Sequence, residues 1–245
     1  MAWLIRAMRL TAFAPHDCGD WQVPGWRALI ASDPENSLTP APGVRLEEGP
    51  LGVGRLQIAR QQGPTSRADV MYAPQGLPRQ VAQTATASLG DFEEATAVMR
   101  PIIAALLQSG IPIARLGLAV EFFELAADLD AANRALAGKI DNRRPDLAEA
   151  QDIIYQINRR RRSLSVPTLT INRVARWTVT APAVVVGSQP PANIAFEVAN
   201  PSVSLVTDVN SEAEHRGALP ANSLEPLWDE LRALTNELAT YGDIP

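Results

Sequence analysis

Between residues 168 and 180 the chain alternates apolar and polar side chains. Leu169, Ile171, Ala175, Trp177 and Val179 fall on one parity; Thr168, Thr170, Asn172, Arg176, Thr178 and Thr180 fall on the other. Period two over this length describes a strand with one buried and one wet face. Residues 153–162 and 193–209 read as long strands on either side of it, the three forming consecutive antiparallel neighbours. In the last of them the apolar positions change parity across Asn200-Pro201, as a bulge would require. Near the N-terminus, residues 2–13 carry apolar side chains on both parities (Trp3, Ile5, Ala7 against Leu4, Met8, Leu10), the mark of a strand inside a sheet. Residues 51–61 and 67–72 form a hairpin punctuated by Gly63-Pro64, and Leu116, Leu118, Val120 and Phe122 define a further long strand.

Helical spacing appears in three clear places. Asp91 and Glu94 stand at capping-box separation before a stripe of Phe92, Ala95, Met99, Ile102, Ile103 and Leu106. Pro101 lies in the middle of that stripe and predicts a kink or a split there, and Gly110 an end. A second helix is expected over 128–137, closed by Gly138, and a short one over 145–151. The last, capped by Asn222 or Ser223, shows Leu227, Leu231, Leu234 and Leu238 before Gly242. Residues 14–50 hold prolines, glycines, Trp21 and Trp26 without a sustained period. They predict a long irregular excursion with one helical turn near 26–31. The order of elements gives an α+β fold: a long, curved, mainly antiparallel sheet with helices packed on one face, in a single domain over 1–245. Halves 1–140 and 145–245 each read as strands followed by a helix, which admits a pseudo-repeat of structure without one of sequence.

Composition narrows the chemistry. A net charge of −5 and a pI near 5.2 mean that the surface as a whole is not built for polyanions. Cys18 is the single cysteine, so internal disulfides and zinc ribbons are excluded. Arg6 and Arg9 interrupt the first apolar run before it reaches the length of a secretion signal. No run of about 18 uncharged apolar residues occurs, so no membrane helix is expected and a cytoplasmic location is. His16, Asp17, Cys18 and Asp20 cluster, with His215 far along the chain, but in none of the local patterns of Cys-His enzymes. Phosphate-binding, dinucleotide-binding, nucleophile-elbow and zinc-protease motifs are missing. Glu121 lies on the solvated parity of its strand, and Asp128 with Asp130 suits a helix start. Neither a catalytic residue, a metal nor a cofactor is therefore expected; the expected role is binding or assembly with a protein partner. An enzyme or ligand binder built around residues 14–26 is an alternative, with Trp21 and Trp26 either plugging the core or anchoring a partner.

The most charged stretch is "YQINRRRRSLSVPTLTINRVARW", residues 155–177. Arg159, Arg160, Arg161 and Arg162 cannot all point one way from a strand, so they cover both faces of its end. A hairpin centred near Leu164 sets Asn158 opposite Asn172 and gathers Arg173 and Arg176 with them, Arg143 and Arg144 being close in sequence. Three readings apply: charge that blunts a sheet end, a contact for an acidic protein, or a nucleic-acid grip. Lys139 is the only lysine among 22 basic residues, so arginine is this chain's default cation and its count alone argues little for phosphate. Base-stacking aromatics near the stretch are limited to Tyr155 and Trp177, and Trp177 sits on the apolar parity.

Two segments resemble a known family. "RLGLAVEF" at 115–122 is similar to the R-x-G-L strand of a sporadically distributed, uncharacterised bacterial family of roughly this length. "LWDELRALTNEL", with Leu227, Leu231, Arg232 and Asn236, is similar to that family's C-terminal helix. The resemblance covers the C-terminal two thirds of the chain. It implies an α+β fold and assigns no site residue.

Overall fold

The computed structural model describes residues 3–16, 18, 21–63, 66–75, 87–140, 147, 150, 153–180 and 201–242. β1 (Leu4–Phe13) lies near the middle of the sheet. A bulge between Ile5 and Ala7 inserts Arg6, which puts Ile5 on the same face as Met8, Leu10 and Ala12, all fully buried. This is why apolar residues occupied both parities in the sequence.

The stretch after β1 is more regular than its prolines suggested. α1 (Trp26–Ile30) is followed by β2 (Asn36–Ala41) and β3 (Val44–Leu51). β2 is an outer strand exposed at every position, so it needs no apolar alternation, and Pro40 lies where a missing N–H is tolerated. Leu51 ends β3; the chain turns at Gly52-Val53 into β4 (Gly54–Gln61) and then β5 (Arg67–Pro74). The central and second-half strands are β6 (Arg115–Leu125), β7 (Ile154–Asn158), β8 (Arg161–Arg162), β9 (Thr170–Thr180) and β10 (Ser202–Ser211). The strand expected over 153–162 is thus interrupted at Arg159-Arg160.

The strands make one curved, ten-stranded antiparallel sheet in the order β2-β3-β4-β5-β1-β6-β10-β9-β7, with β8 continuing the outer edge against β9. The β1–β6 pair lies near the centre, with four strands beyond β1 and three positions beyond β6, the outermost shared by β7 and β8. A strand, a helix, an antiparallel meander returning to that strand, and a second helix occur twice: β1–α1–β2 to β5–α2, then β6–α3–β7 to β10–α4. The turn of this repeat falls between α2 (Phe92–Leu107) and β6. α3 (Leu129–Ala137) and α4 (Leu224–Tyr241) complete the helices.

Local chemistry fixes the helix ends. Asp91 accepts from the Glu94 amide and Glu94 from the Asp91 amide, the full capping box. Asp128 caps α3 through the Ala131 amide at 2.7 Å. Ser223 stands at the start of α4, but its hydroxyl turns back to the Pro220 carbonyl instead of capping. α2 runs through Pro101 without splitting. Met99, Ile102, Ile103 and Leu106 on either side are buried, and each contributes about 1.5–3 kcal/mol. Together they outweigh the roughly 3 kcal/mol an interior proline costs. α2 packs on β1, α3 on β9 and β10, and α4 on β6, β9 and β10. The apolar parity of every long strand meets this layer in one continuous core. The helix expected over 145–151, the change of parity at Asn200, Arg143, Arg144, Asp17 and Asp20 lie outside the described residues.

Candidate binding face and cleft

No described helix packs on the opposite face of the sheet. Strand register places one set of side chains there: Arg9 and Thr11 on β1, Arg67 and Asp69 on β5, Arg55 and Gln57 on β4, Glu48 on β3, Arg115 and Glu121 on β6, Asp208 and Asn210 on β10, and Asn172 and Arg176 on β9. They form transverse polar chains. Asn158 donates to Asn172 at 3.5 Å, Asn172 to Asn210 at 3.1 Å, and Asn210 to Asp208 at 2.8 Å. Thr11 donates to Asp69 at 2.6 Å, with Arg67 3.2 Å from the same carboxylate. Arg6 lies over the Phe123 ring and pairs with Glu121 at 2.8 Å. In the middle, Arg9, Phe13, Arg115, Asp208 and Asn210 surround a depression of about 110 Å³ floored by Gly117 and Ala119. The Arg115 guanidinium stacks 4.5 Å above Phe13 and donates to the Ser211 carbonyl. Burial pulls it below the usual arginine value, while Asp208 and Glu214 act in the other direction.

Charge is divided between the two sides. Arginines outnumber carboxylates by a small margin on the open face, whereas the helix layer carries Asp91, Glu93, Glu94, Asp128, Asp130, Glu225, Asp229, Glu230 and Glu237 against Arg27, Arg100, Arg134, Lys139 and Arg232. The polar face is flecked with apolar side chains; Val206 is 39% exposed and Ile154 62%.

The arginine stretch does not act as one cluster. β7 and β9 pair Asn158 with Val174, and β8 pairs Arg161 with Ile171, so the hairpin centres on Val166, not on Leu164. Asn158 and Asn172 are diagonal neighbours that still touch. Arg173 has the parity of Ile171 and Ala175, which turns it toward the helices: it pairs with Glu237 at 2.7 Å and is mostly buried, so it does not belong with the open-face cations. Arg161 approaches the same Glu237 at 3.9 Å and Arg160 reaches Glu212 at 3.1 Å. The Arg159 amide bonds the Arg173 carbonyl across the strand break. Arg162 and Arg176 are exposed and have no ion pair among the described residues. The turn itself is held by Glu230 of α4, whose carboxylate accepts from Ser163 Oγ, the Leu164 amide and the Ser165 amide. Burial favours the neutral acid there, but these donors outweigh it and hold Glu230 below the ordinary glutamate value.

Trp21 and Trp26 are core residues, each 2% exposed, so neither offers a ring to a partner. Trp21 donates its indole N–H to the Pro112 carbonyl at 2.7 Å, tying the segment after β1 to the one before β6. Gly49 makes room for Trp26; a Cβ there would stand 2.9 Å from the indole. Beside Trp21 opens a cleft of about 360 Å³, lined by residues 21–23, Thr39, residues 43–45 and residues 60–62. Its polar wall is built on Glu47, 5% exposed on the helix side of β3. One carboxylate oxygen accepts from the Trp26 amide at 3.0 Å and from Arg60 Nη2 at 2.7 Å; the other lies 3.3 Å from Arg45 Nη2. Arg60 also donates to the Val23 carbonyl, and its Nε is buried without a hydrogen-bond partner among the described residues. The sequence carried a signal for this arrangement. Arg60 is in phase with Leu56 and Ile58; Glu47 is placed on the core side only by its pairing with Ile58, its own strand having no apolar alternation.

The histidine–cysteine cluster is partly assembled. The His16 amide donates to the Arg216 carbonyl, which brings the segments of His16 and His215 together, and Cys18 is half-buried against the core. No group of three metal-ligating side chains forms among the described residues. Lys139 lies with its ammonium 4.4 Å above the Trp3 ring and 3.5 Å from the Glu124 carboxylate, at the edge of a groove between the start of α2 and the end of α4. No helix among the described residues is long and apolar enough to cross a membrane.

Among the described residues, these features define an α+β protein with one sheet face covered by helices and the other mainly polar and without a helix. Comparison with family models, with curated proteins and with solved structures finds no match to this chain.

Proposed function

We propose that this protein acts by binding, and that it presents the open face of its sheet to the acidic surface of a protein partner. One observation carries the reading: the open sheet face carries a small excess of arginines over carboxylates, while the helix layer behind it is net acidic. Such a division steers an acidic partner to one side and repels it from the other. The scatter of Val206 and Ile154 among polar groups suits an interface, where small apolar patches lie inside a polar rim. A nucleic acid is the weaker reading. Asp69, Glu121 and Asp208 interleave with the arginines and would face phosphates, and Tyr241 of α4 is the only strongly exposed aromatic among the described residues.

The test is co-purification of the protein from its own cells as wild type, as Arg9→Glu/Arg176→Glu on the open face, and as Glu225→Arg/Asp229→Arg on the helix layer. A stoichiometric partner should be lost with the open-face variant and retained with the helix-layer variant, all three unfolding at similar temperatures. The opposite pattern would overturn the proposal. Oligonucleotide binding that weakens steeply with salt and disappears in the open-face variant would transfer the face to a nucleic acid.

A further inference from the structure

The cleft beside Trp21 has features that the open sheet face does not explain. Glu47 is a buried carboxylate between two guanidiniums, and such a group leaves water only when its partners are held in place. Arg60 is fixed from three sides: by Glu47, by the Val23 carbonyl, and by Gly25, where an added Cβ would stand 3.3 Å from both the Arg60 guanidinium and the Glu47 carboxylate. Arg45 is different. It makes one 3.3 Å contact with Glu47, and 59% of its side chain remains exposed at the mouth of the cleft. Among the described residues, two guanidiniums against one carboxylate leave a single positive charge facing an open volume of about 360 Å³. That volume falls within the range of small-ligand sites.

We propose that this cleft binds a carboxylate, received by the fork of Arg45 with Arg60 behind it. A planar guanidinium matches a carboxylate with two parallel hydrogen bonds. The single residual charge suits a monoanionic head, because a phosphate dianion would bring excess negative charge close to Glu47. Thr39, Gln61 and Gln62 supply hydroxyl and amide groups along the wall, which fits a polar body behind the head, such as a peptide backbone. Trp21 holds one wall rigid through its bond to Pro112. The carboxylate can come from a peptide C-terminus, an acidic side chain or a small organic acid. The chemistry is the same, and the probes separate the sources. The site is independent of the open-face reading, since none of its donors lies among the arginines that carry that reading.

The experiment titrates the full chain with five probes: a tetrapeptide with a free C-terminal carboxylate, its amidated form, an amidated tetrapeptide with an internal glutamate, succinate, and inorganic phosphate. Binding is followed by calorimetry and by amide NMR shifts. At least one carboxylate should saturate, shift the amides of Gly43, Arg45 and Gln61, and bind at least tenfold more weakly to Arg45→Ala. Arg45→Lys should recover only part of the affinity, because an ammonium cannot form the paired bonds. Arg9→Glu/Arg176→Glu should bind the same probe as wild type, so loss of the open-face partner and loss of this ligand remain distinct results. Because Arg60→Ala removes a buried partner of Glu47 and can unfold the chain, Arg45 carries the test. Failure of every carboxylate to saturate up to about 10 mM, equal binding by Arg45→Ala, or tighter binding of inorganic phosphate would each overturn the proposal.

Discussion

Glu230 is nearly two turns into α4, yet it organises a turn more than sixty residues away by accepting from Ser163, Leu164 and Ser165. Its carboxylate titrates below the ordinary 4.5 in the folded chain. Its contribution is therefore complete above that value and is lost as pH falls through the lowered one. Glu230→Gln should cost about 1–2 kcal/mol near neutral pH, hydrogen bonds to a charged acceptor being worth that much. Denaturant midpoints should show the gap to wild type closing below pH 4.5. A gap that stays constant into acid would mean that the carboxylate's charge is not what holds the turn. Residues like this are hard to read from sequence because both partners look solvated. Arg60 and Arg173 are more legible, since each interrupts an apolar parity: a charge in phase with Leu56 and Ile58, or with Ile171 and Ala175, must find a partner under the helices. The interruption announces that a partner exists without saying which it is.

At the scale of elements, α2 sets propensity against packing. Pro101 is exposed, lacks the N–H that would bond one turn back, and is carried by the buried residues around it. Pro101→Ala should raise stability by about 1–3 kcal/mol, seen as a higher melting temperature with unchanged near-ultraviolet dichroism. Destabilisation would mean that the proline ring itself packs or shapes the helix. Elements with one buried face were readable, β9 and α4 most of all, because burial imposes a period. β2 and β3 were not. β2 is wet on all sides, and β3 carries Gly49 and Pro50 to accommodate Trp26 and the turn into β4, so neither shows the alternation that names a strand. The cleft was invisible for a related reason. Its wall is assembled from four short segments, and only the pairing of β2, β3 and β4 places them side by side.

Across the whole molecule, the two repeated layouts share their innermost strands. β1 and β6 pair along nearly their full length, and one core runs beneath both. Neither half can be removed without baring the edge of a long central strand whose one face is fully apolar. The intact chain should accordingly unfold in a single calorimetric transition. A chain opened at Ser109-Gly110, in the connection between the halves, should give fragments that are insoluble alone and soluble when co-expressed. Two separable transitions, or one fragment folding by itself, would show that the halves are autonomous. The outer edges need no such partner. Pro40 interrupts β2 on one side and the break at Arg159-Arg160 separates β7 from β8 on the other, so neither edge offers a long ladder for another chain. The arginine stretch is accounted for mainly as this kind of edge, with Arg160, Arg161 and Arg173 occupied by Glu212 and Glu237.

Lys139 has a practical consequence for anyone seeking the partner. It is the one side-chain amine in the protein, and it is turned into Trp3 and Glu124 on the helix side. Amine-directed cross-linkers therefore find no lysine on the open face with which to record a complex there. Reagents that couple carboxylates, reaching Glu121 or Asp208, are the ones able to capture a neighbour seated across the strands.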